Sequence, residues 1–253
     1  MVSMSSPPSP APSLLRRIVD FDTAISLRLY TLTHPILPYY FLKTLEISGD
    51  GFLFFPLVLS LLLYPLAFSD TKNSNIFLIN LLLGGILDLI VIGPLKHLIR
   101  RPRPVYNKNM FLSFAVDHWS FPSGHSSRVS MIATLFYLSS DFIRDVLIQL
   151  KYDLFVDYLM LIVIGWAATT SCSRVLLGRH FVFDVIAGVL LGILEGFSIE
   201  HGRHKWTEFF LFIVEVTSGA ESFALHRTKE SLTVSVTLGG VVIFSTCIDR
   251  RYL

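Results

Sequence analysis

Charge is what this chain has least of. Only 16% of its 253 residues are Asp, Glu, Lys or Arg, where a soluble domain of this size carries about a quarter. The shortage is local rather than uniform. Between Asp50 and Asp70 the run GFLFFPLVLSLLLYPLAFS holds no charge at all, residues 73–95 hold only Asp88, and 158–173 hold none. As a helix the first of these runs spans about 28 Å, the thickness of one hydrocarbon core. A water-soluble globule is therefore excluded, and a polytopic membrane protein is implied. Cysteine is almost as scarce. Cys172 and Cys247 have neither metal-ligand spacing nor the pattern of a disulfide framework, and Cys172, at the end of an apolar run, reads as a small core residue. A secretory signal is lacking too: MVSMSSPPSPAPS at 1–13 is uncharged and Pro/Ser-rich, and reads as a disordered tail.

What is present is mostly helix-forming apolar sequence. Residues 14–33 mix apolar positions with Arg16, Arg17, Asp20, Asp22 and Arg28, the pattern of an amphipathic helix lying at an interface. With the Pro-containing stretch that follows, 14–50 read as interfacial segments leading into the bilayer. Spans are expected at about 51–69, 75–95, 124–140, 158–174 and 181–199. They must be helical, because only helices and closed barrels satisfy the backbone inside lipid, and these runs lack strand alternation. The fold expected is an all-α polytopic bundle of about five to six spans. Its catalytic domain covers 51–200, and a C-terminal segment, 201–253, has uncertain structure. Within that segment, residues 231–248 are uncharged and rich in Thr, Val, Ser and Gly, and were open to being one more span or an interfacial element.

Three polar islands interrupt the apolar sequence: KHLIRRPRP at 96–104, FPSGHSSR at 121–128 and SRVLLGRHFVFD at 173–184. Counting crossings puts all three on one membrane face. The loop 105–120 keeps the chain where the second span left it, the third span crosses away, and the fourth returns. Their residue types suit phosphoryl chemistry. Lys96, Arg103 and Arg174 offer fixed positive charge and many donors for phosphate oxygens. Ser123 and Gly124 open a helix, a ready anion site. His125 and His180 supply acid and nucleophile. Asp184 lies one helical turn beyond His180, so its carboxylate can hold one imidazole nitrogen and leave the other free for attack. No metal set is present, since arginines separate the histidines. A nucleic-acid role for the basic cluster at 96–108 is weaker than headgroup anchoring or phosphate binding at the end of a span.

Other chemistry-bearing residues have plainer readings. Arg100 and Arg101 read as snorkelling anchors, Pro102 and Pro104 as helix terminators. His34, His97, His118, His201, His204 and His226 belong to no constellation. Arg128 and Arg179 either pair with acidic neighbours or meet the distal phosphate of a diphosphate, the first being preferred. Asp88, inside a span, reads as one end of an interhelical hydrogen bond rather than as a functional group.

K-x6-R-P (Lys96, Arg103, Pro104), P-S-G-H (Pro122 to His125) and S-R-x5-H-x3-D (Ser173, Arg174, His180, Asp184) together resemble the three-part signature of the type 2 phosphatidic acid phosphatase superfamily over about residues 40–200. The resemblance implies phosphate binding by Lys96, Arg103, Ser123, Gly124 and Arg174. It makes His180 the nucleophile, Asp184 its orienting carboxylate and His125 the general acid, with a phosphohistidine intermediate and no cofactor. EISGDG at 46–51 and VDHWSFPSGHSSR at 116–128 are similar to the polyisoprenoid and presqualene diphosphate phosphatase subgroup, whose plant members are called lipid phosphate phosphatases of beta type. That narrower likeness implies farnesyl, geranylgeranyl or presqualene diphosphate beside phosphatidic acid as substrate. It implies the endoplasmic reticulum as location, and the bilayer rather than nucleic acid as partner. A soluble vanadium haloperoxidase is disfavoured by the spans, and a silent scaffold by the intact histidines. A phosphotransferase differs only in the second acceptor and is not separated by sequence. The basic residues around 96–108 put the active face in the cytosol by the positive-inside rule, but the same arginines serve chemistry, so the count does not decide sidedness.

Overall fold

A computed structural model describes residues 13–63, 71–106, 118–149, 151–202, 222–227, 231–238 and 241–249. From residue 13 to 202 the described chain is helical. The elements are α1 (Leu14–Thr33), α2 (Tyr39–Ser48), α3 (Gly51–Leu63), α4 (Thr71–Ile99), α5 (Gly124–Leu138), α6 (Ser140–Gln149), α7 (Asp153–Leu176) and α8 (Val182–His201). The expected spans at 75–95, 158–174 and 181–199 correspond to α4, α7 and α8. Ile76–Ile99, Tyr158–Leu176 and Val182–His201 are each long and apolar enough to cross a bilayer. The described part of the first expected span, 51–69, is α3; α2, from the segment expected to be interfacial, meets it at a 45° bend, and the two make a fourth crossing if the bent pair is one span.

The third expected span, at 124–140, differs in kind. Helix α5 has 15 residues, about 22 Å of helix, and its sequence is interrupted by Ser126, Ser127, Arg128, Ser130 and Thr134. It is the central helix of the bundle, with Ser126 through Met131, Ala133 and Leu135 all buried. Its environment is therefore protein, which tolerates the polar groups that lipid would not. The apolar cores on either side join it to its neighbours: Met131 and Leu135 pack with Phe54, Val58, Leu78, Leu81 and Ile199, and Val129 and Ala133 with Ala167. Leu89, Ile90, Leu161, Ile162, Leu190, Leu194 and Phe197 are exposed, giving α4, α7 and α8 apolar outer faces suited to lipid. Cys172 also sits on an outer face, not in the core.

The closest seam in the bundle is α5 against α8. Gly188, Gly192 and Gly196 recur every fourth residue and form one stripe along α8. A Cβ on Gly188 would collide with the Ser123 carbonyl oxygen, and one on Gly192 with the Ser127 carbonyl oxygen. A Cβ on Gly196 would lie 2.7 Å from the Thr134 Cβ. Backbones meet here because nothing stands between them, the usual device for helices without a hydrophobic driving force in lipid.

Beyond the helices, β1 (Ser222–Arg227), β2 (Ser231–Leu238) and β3 (Val241–Asp249) form an antiparallel sheet in that order. The described parts of 231–248 are thus strands and not a helical span. SLTVSVTL alternates apolar and hydroxyl residues with period two, a strand pattern, and Leu238 pairs with Val241. Residues 1–12, 107–117 and 206–217 lie outside the described residues, and with them the tail, Lys108 and most of the loop expected at 105–120.

Candidate active site

Two backbone devices build the site. Helix α7 ends at Leu176, and two residues later Gly178 takes φ +69°, the left-handed conformation that only glycine adopts without cost. A Cβ there would also meet Tyr106 at 2.8 Å. The turn folds the next two residues back onto the helix, and the N–H groups of Arg179 and His180 both donate to the Arg174 carbonyl, at 2.9 and 3.1 Å. Arg174 and His180 are therefore fixed relative to one another by main chain. The second device joins the islands. Ser123 N–H donates to the Asp184 carbonyl at 3.0 Å and Ser120 N–H to the Arg101 carbonyl at 2.8 Å. The segments at 96–104, 121–128 and 173–184 meet in one place.

His180 is 1% exposed, and its ring geometry decides its tautomer. Nδ1 lies 2.7 Å from the Ser120 carbonyl oxygen. A carbonyl oxygen only accepts, so Nδ1 carries the proton and Nε2 the lone pair. Nε2 is 3.2 Å from Arg103 Nη1, which also donates to the Arg179 carbonyl at 2.8 Å. Burial, together with the positive charges of Arg103, Arg174 and Lys96, holds the His180 pKa well below the ordinary imidazole range. A lowered pKa leaves the ring neutral at pH 7, with its lone pair available among cations.

Asp184 does not hold the imidazole directly. Its Oδ2 is 3.8 Å from Nδ1, beyond hydrogen-bonding reach. The one-turn spacing expected from sequence presumes that both residues sit in one helix, but His180 lies in the turn before α8, which begins at Val182. Asp184 instead occupies the first turn. It accepts Phe181 N–H at 2.9 Å and the Ser120 hydroxyl, while Arg101 Nη1 donates to its other oxygen at 2.7 Å. It reaches His180 through Ser120, the residue whose carbonyl the imidazole touches.

Of the other expected residues, Lys96 is buried in the last turn of α4. Ser123 is the N-cap of α5, its hydroxyl 3.0 Å from that of Ser126. Gly124 and His125 open the helix. Arg174 is fully buried and pairs with Glu46 at 2.6 Å. His125 faces Asp50, with Nε2 to Oδ2 at 3.5 Å. His97 and His118 are exposed. Arg128 and Arg179 both take the acidic partner: Arg128 meets Asp88 at 2.9 Å and Arg179 meets Glu46 at 3.3 Å. Asp88 thus makes its interhelical contact, from α4 to α5.

Sequence reading missed Asp22, Glu46, Asp50, Arg101 and Ser120. EISGDG did carry a signal, since it placed two carboxylates in a short turn-like stretch, but nothing in the string said which cations they would meet. Arg101 reads as an anchor by position and is instead a clamp. Its guanidinium bridges Asp184 and Asp22, each at 2.7 Å, and lies 4.0 Å above the Phe181 ring.

Residues 77–208 match the model of the PAP2 superfamily. The chain belongs to this superfamily. It is 38% identical over 209 residues to the "Probable lipid phosphate phosphatase beta" of Arabidopsis thaliana, covering 74% of this chain and 91% of that protein. Its fold is similar to that of the transmembrane PAP2-type phosphatidylglycerolphosphate phosphatase from Bacillus subtilis, with a TM-score of 0.57, 24% identity, and 75% of this chain and 87% of that one covered. The chain is an integral-membrane PAP2 phosphatase, and its three polar motifs lie at the junction of α4, α5, α7 and α8.

Proposed function

We propose that this PAP2 member is a metal-independent lipid phosphate and diphosphate phosphatase that works through a phosphohistidine at His180. The observation that carries the reading is the His180 ring, with Nδ1 committed to the Ser120 carbonyl, Nε2 beside Arg103, and the charges of Arg174 and Lys96 also acting on the ring. In this reading Lys96, Arg103, Arg174, the Ser123 hydroxyl and the backbone at Gly124 hold the phosphoryl oxygens, where fixed cations and a helix N-terminus oppose the charge of the transferring group. The His180 Nε2 lone pair attacks phosphorus and the bond to the leaving oxygen breaks. His125 gives that oxygen its proton. His125 then takes a proton from water, the resulting hydroxide attacks phosphorus, and the N–P bond breaks to release inorganic phosphate. With a lipid diphosphate the first product is the monophosphate, and with a phosphomonoester it is the alcohol.

Polyisoprenoid diphosphates such as farnesyl, geranylgeranyl or presqualene diphosphate are the substrates favoured by the EISGDG and VDHWSFPSGHSSR segments, with phosphatidic acid beside them. The name of the Arabidopsis relative supports a lipid phosphate. The same segments favour the endoplasmic reticulum as location. The outward apolar faces of α4, α7 and α8 suit a substrate whose tail stays in lipid while its headgroup enters the site. The test is phosphate release by the detergent-purified chain in EDTA, with farnesyl diphosphate and phosphatidic acid compared in wild type and His180→Ala. EDTA-resistant release that vanishes in the variant is expected, with farnesyl diphosphate the better substrate. Release that needs added metal, or that survives the substitution, overturns the mechanism.

A further inference from the structure

Helix α1 has the composition of a surface helix, yet two of its residues are fully buried: Asp22 and Ser26 are each 0% exposed. Both are aimed at the start of α8. Val182 N–H donates to the Ser26 hydroxyl at 2.9 Å, and Phe183 N–H donates to Asp22 Oδ1 at 3.0 Å. With Phe181 N–H already on Asp184, three successive backbone donors of the α8 N-terminus are satisfied by carboxylate or hydroxyl oxygens. Two of the three come from a helix more than 150 residues away in sequence.

The second Asp22 oxygen does something a cap does not require. Oδ2 pairs with Arg101 Nη2 at 2.7 Å, and the opposite nitrogen of the same guanidinium, Nη1, pairs with Asp184 Oδ1 at 2.7 Å. The planar fork of arginine spans two carboxylates in a way a lysine ammonium cannot. Arg101 also holds Ser120 through its main-chain carbonyl. A continuous relay therefore runs from Asp22 through Arg101 and Asp184 to Ser120, and from the Ser120 carbonyl to His180 Nδ1. Tyr30, two turns along α1 from Asp22, stacks on Tyr106 with ring centroids 4.6 Å apart. Both rings lie against Gly178, the turn that delivers His180. Helix α1 thus grips the nucleophile's loop at two points, although it lies outside the residues that match the superfamily model, 77–208.

We infer that Asp22 is a positioning residue for the nucleophile: through Arg101, Asp184 and Ser120 it fixes the place and tautomer of His180. Without its charge Arg101 is held from one side only, and the Ser120 carbonyl loses its fixed distance to Nδ1. Orienting partners of a functional imidazole are worth about 10–100-fold in activity where they have been removed at metal sites, and a loss of similar size is expected here. The inference rests on the proposed role of His180, and the experiment separates the two.

The experiment measures farnesyl diphosphate hydrolysis in EDTA, and the single-turnover rate of His180 phosphorylation, for wild type, His180→Ala, Asp22→Asn, Arg101→Lys and Asp20→Asn. Asparagine keeps an oxygen for Phe183 N–H while removing the charge. Lysine keeps the charge while removing the fork. Asp20 is exposed on the same helix and serves as the control. Activities are referred to the folded fraction measured by size exclusion and thermal unfolding in the same detergent. Asp22→Asn is expected to lower kcat and the phosphorylation rate by about 10–100-fold with KM unchanged. Arg101→Lys is expected to give a similar defect, the double variant no more than either single one, and Asp20→Asn none. The inference is overturned if folded Asp22→Asn turns over like wild type, if only its KM changes, or if its loss equals its loss of folded protein. Should Asp22→Asn not fold, Arg101→Lys decides by the same criteria. Activity that survives His180→Ala removes the proposed mechanism, and this inference with it. Activity lost in His180→Ala but unchanged in Asp22→Asn removes this inference alone.

Discussion

The two histidines of the site are held in different ways. His180 is buried, its Nδ1 is bonded to a main-chain carbonyl at 2.7 Å, and its backbone is tied to Arg174. His125 sits in the first turn of α5, and its nearest charged partner, Asp50, is 3.5 Å away with a side chain 39% exposed. One ring is held by short bonds at two levels, the other by a longer contact to a carboxylate near the surface. Two different jobs are proposed for them. A nucleophile must present one lone pair in line with phosphorus and keep a single tautomer. A residue that gives a proton and later takes one must pass through both protonation states, and a rigid bond to one of them would oppose the other.

The comparison is broken most severely by removing either ring. His180→Ala is expected to abolish turnover, by on the order of 10⁴-fold or more, as loss of a nucleophile does elsewhere. The check is phosphate release together with the disappearance of acid-labile, base-stable label from substrate phosphorus. His125→Ala is expected to cost about 10²–10⁴-fold, the usual worth of general acid–base catalysis. With p-nitrophenyl phosphate, whose leaving group needs no proton, the first-step defect of His125→Ala should shrink while that of His180→Ala does not. Equal defects of both variants on both substrates would contradict the division of labour.

Glu46 tests how far the tight side extends. It is buried and meets Arg174 and Arg179, so Glu46→Gln leaves two buried cations without their carboxylate. Breaking a buried pair costs about 3–5 kcal/mol, and a clear drop in thermal stability in detergent is expected. Asp50→Asn is the counterpart on the loose side. The Asp50 side chain is 39% exposed and its contact is the longer one, at 3.5 Å, so its loss should cost less stability than that of Glu46, and activity should fall only modestly. A drop as large as that of Glu46→Gln would show that His125 is as tightly held as His180.

The smallest expected effect concerns the protonation of His180 alone. Because burial and three neighbouring cations lower the His180 pKa, its ring should remain neutral as pH falls through about 6.5, where an ordinary imidazole becomes charged. Carbon-13 shifts of labelled histidine, assigned with His180→Ala, check this. A His180 titration at or above 6.5 would mean that the cations do not act on the ring as the geometry indicates.

The same contrast explains what could be read from the chain. The apolar runs that became α4, α7 and α8, and the motif residues at their ends, were legible because hydropathy and short-range spacing are local properties. Asp22 was not. It stands two residues from Asp20 on the same amphipathic helix, yet Asp20 is exposed and Asp22 wholly buried. Only tertiary docking tells them apart. The Asp184 contact was misread for a related reason: four residues make one turn only inside a helix, and Gly178 ends that assumption before His180. The strands at 231–249 were a different kind of miss. Their alternation was on the page, but in so apolar a chain the lack of charge outweighed it.

The glycine stripe on α8 has a bearing on how a greasy substrate enters. Between α5 and α8 there is no side-chain layer to part, since Gly188 and Gly192 lie directly against main-chain carbonyls of the facing helix. A hydrocarbon tail cannot wedge into a seam where even a methyl group collides. The seam between α5 and α8 is an internal wall of the bundle, closed along the length of the glycine stripe.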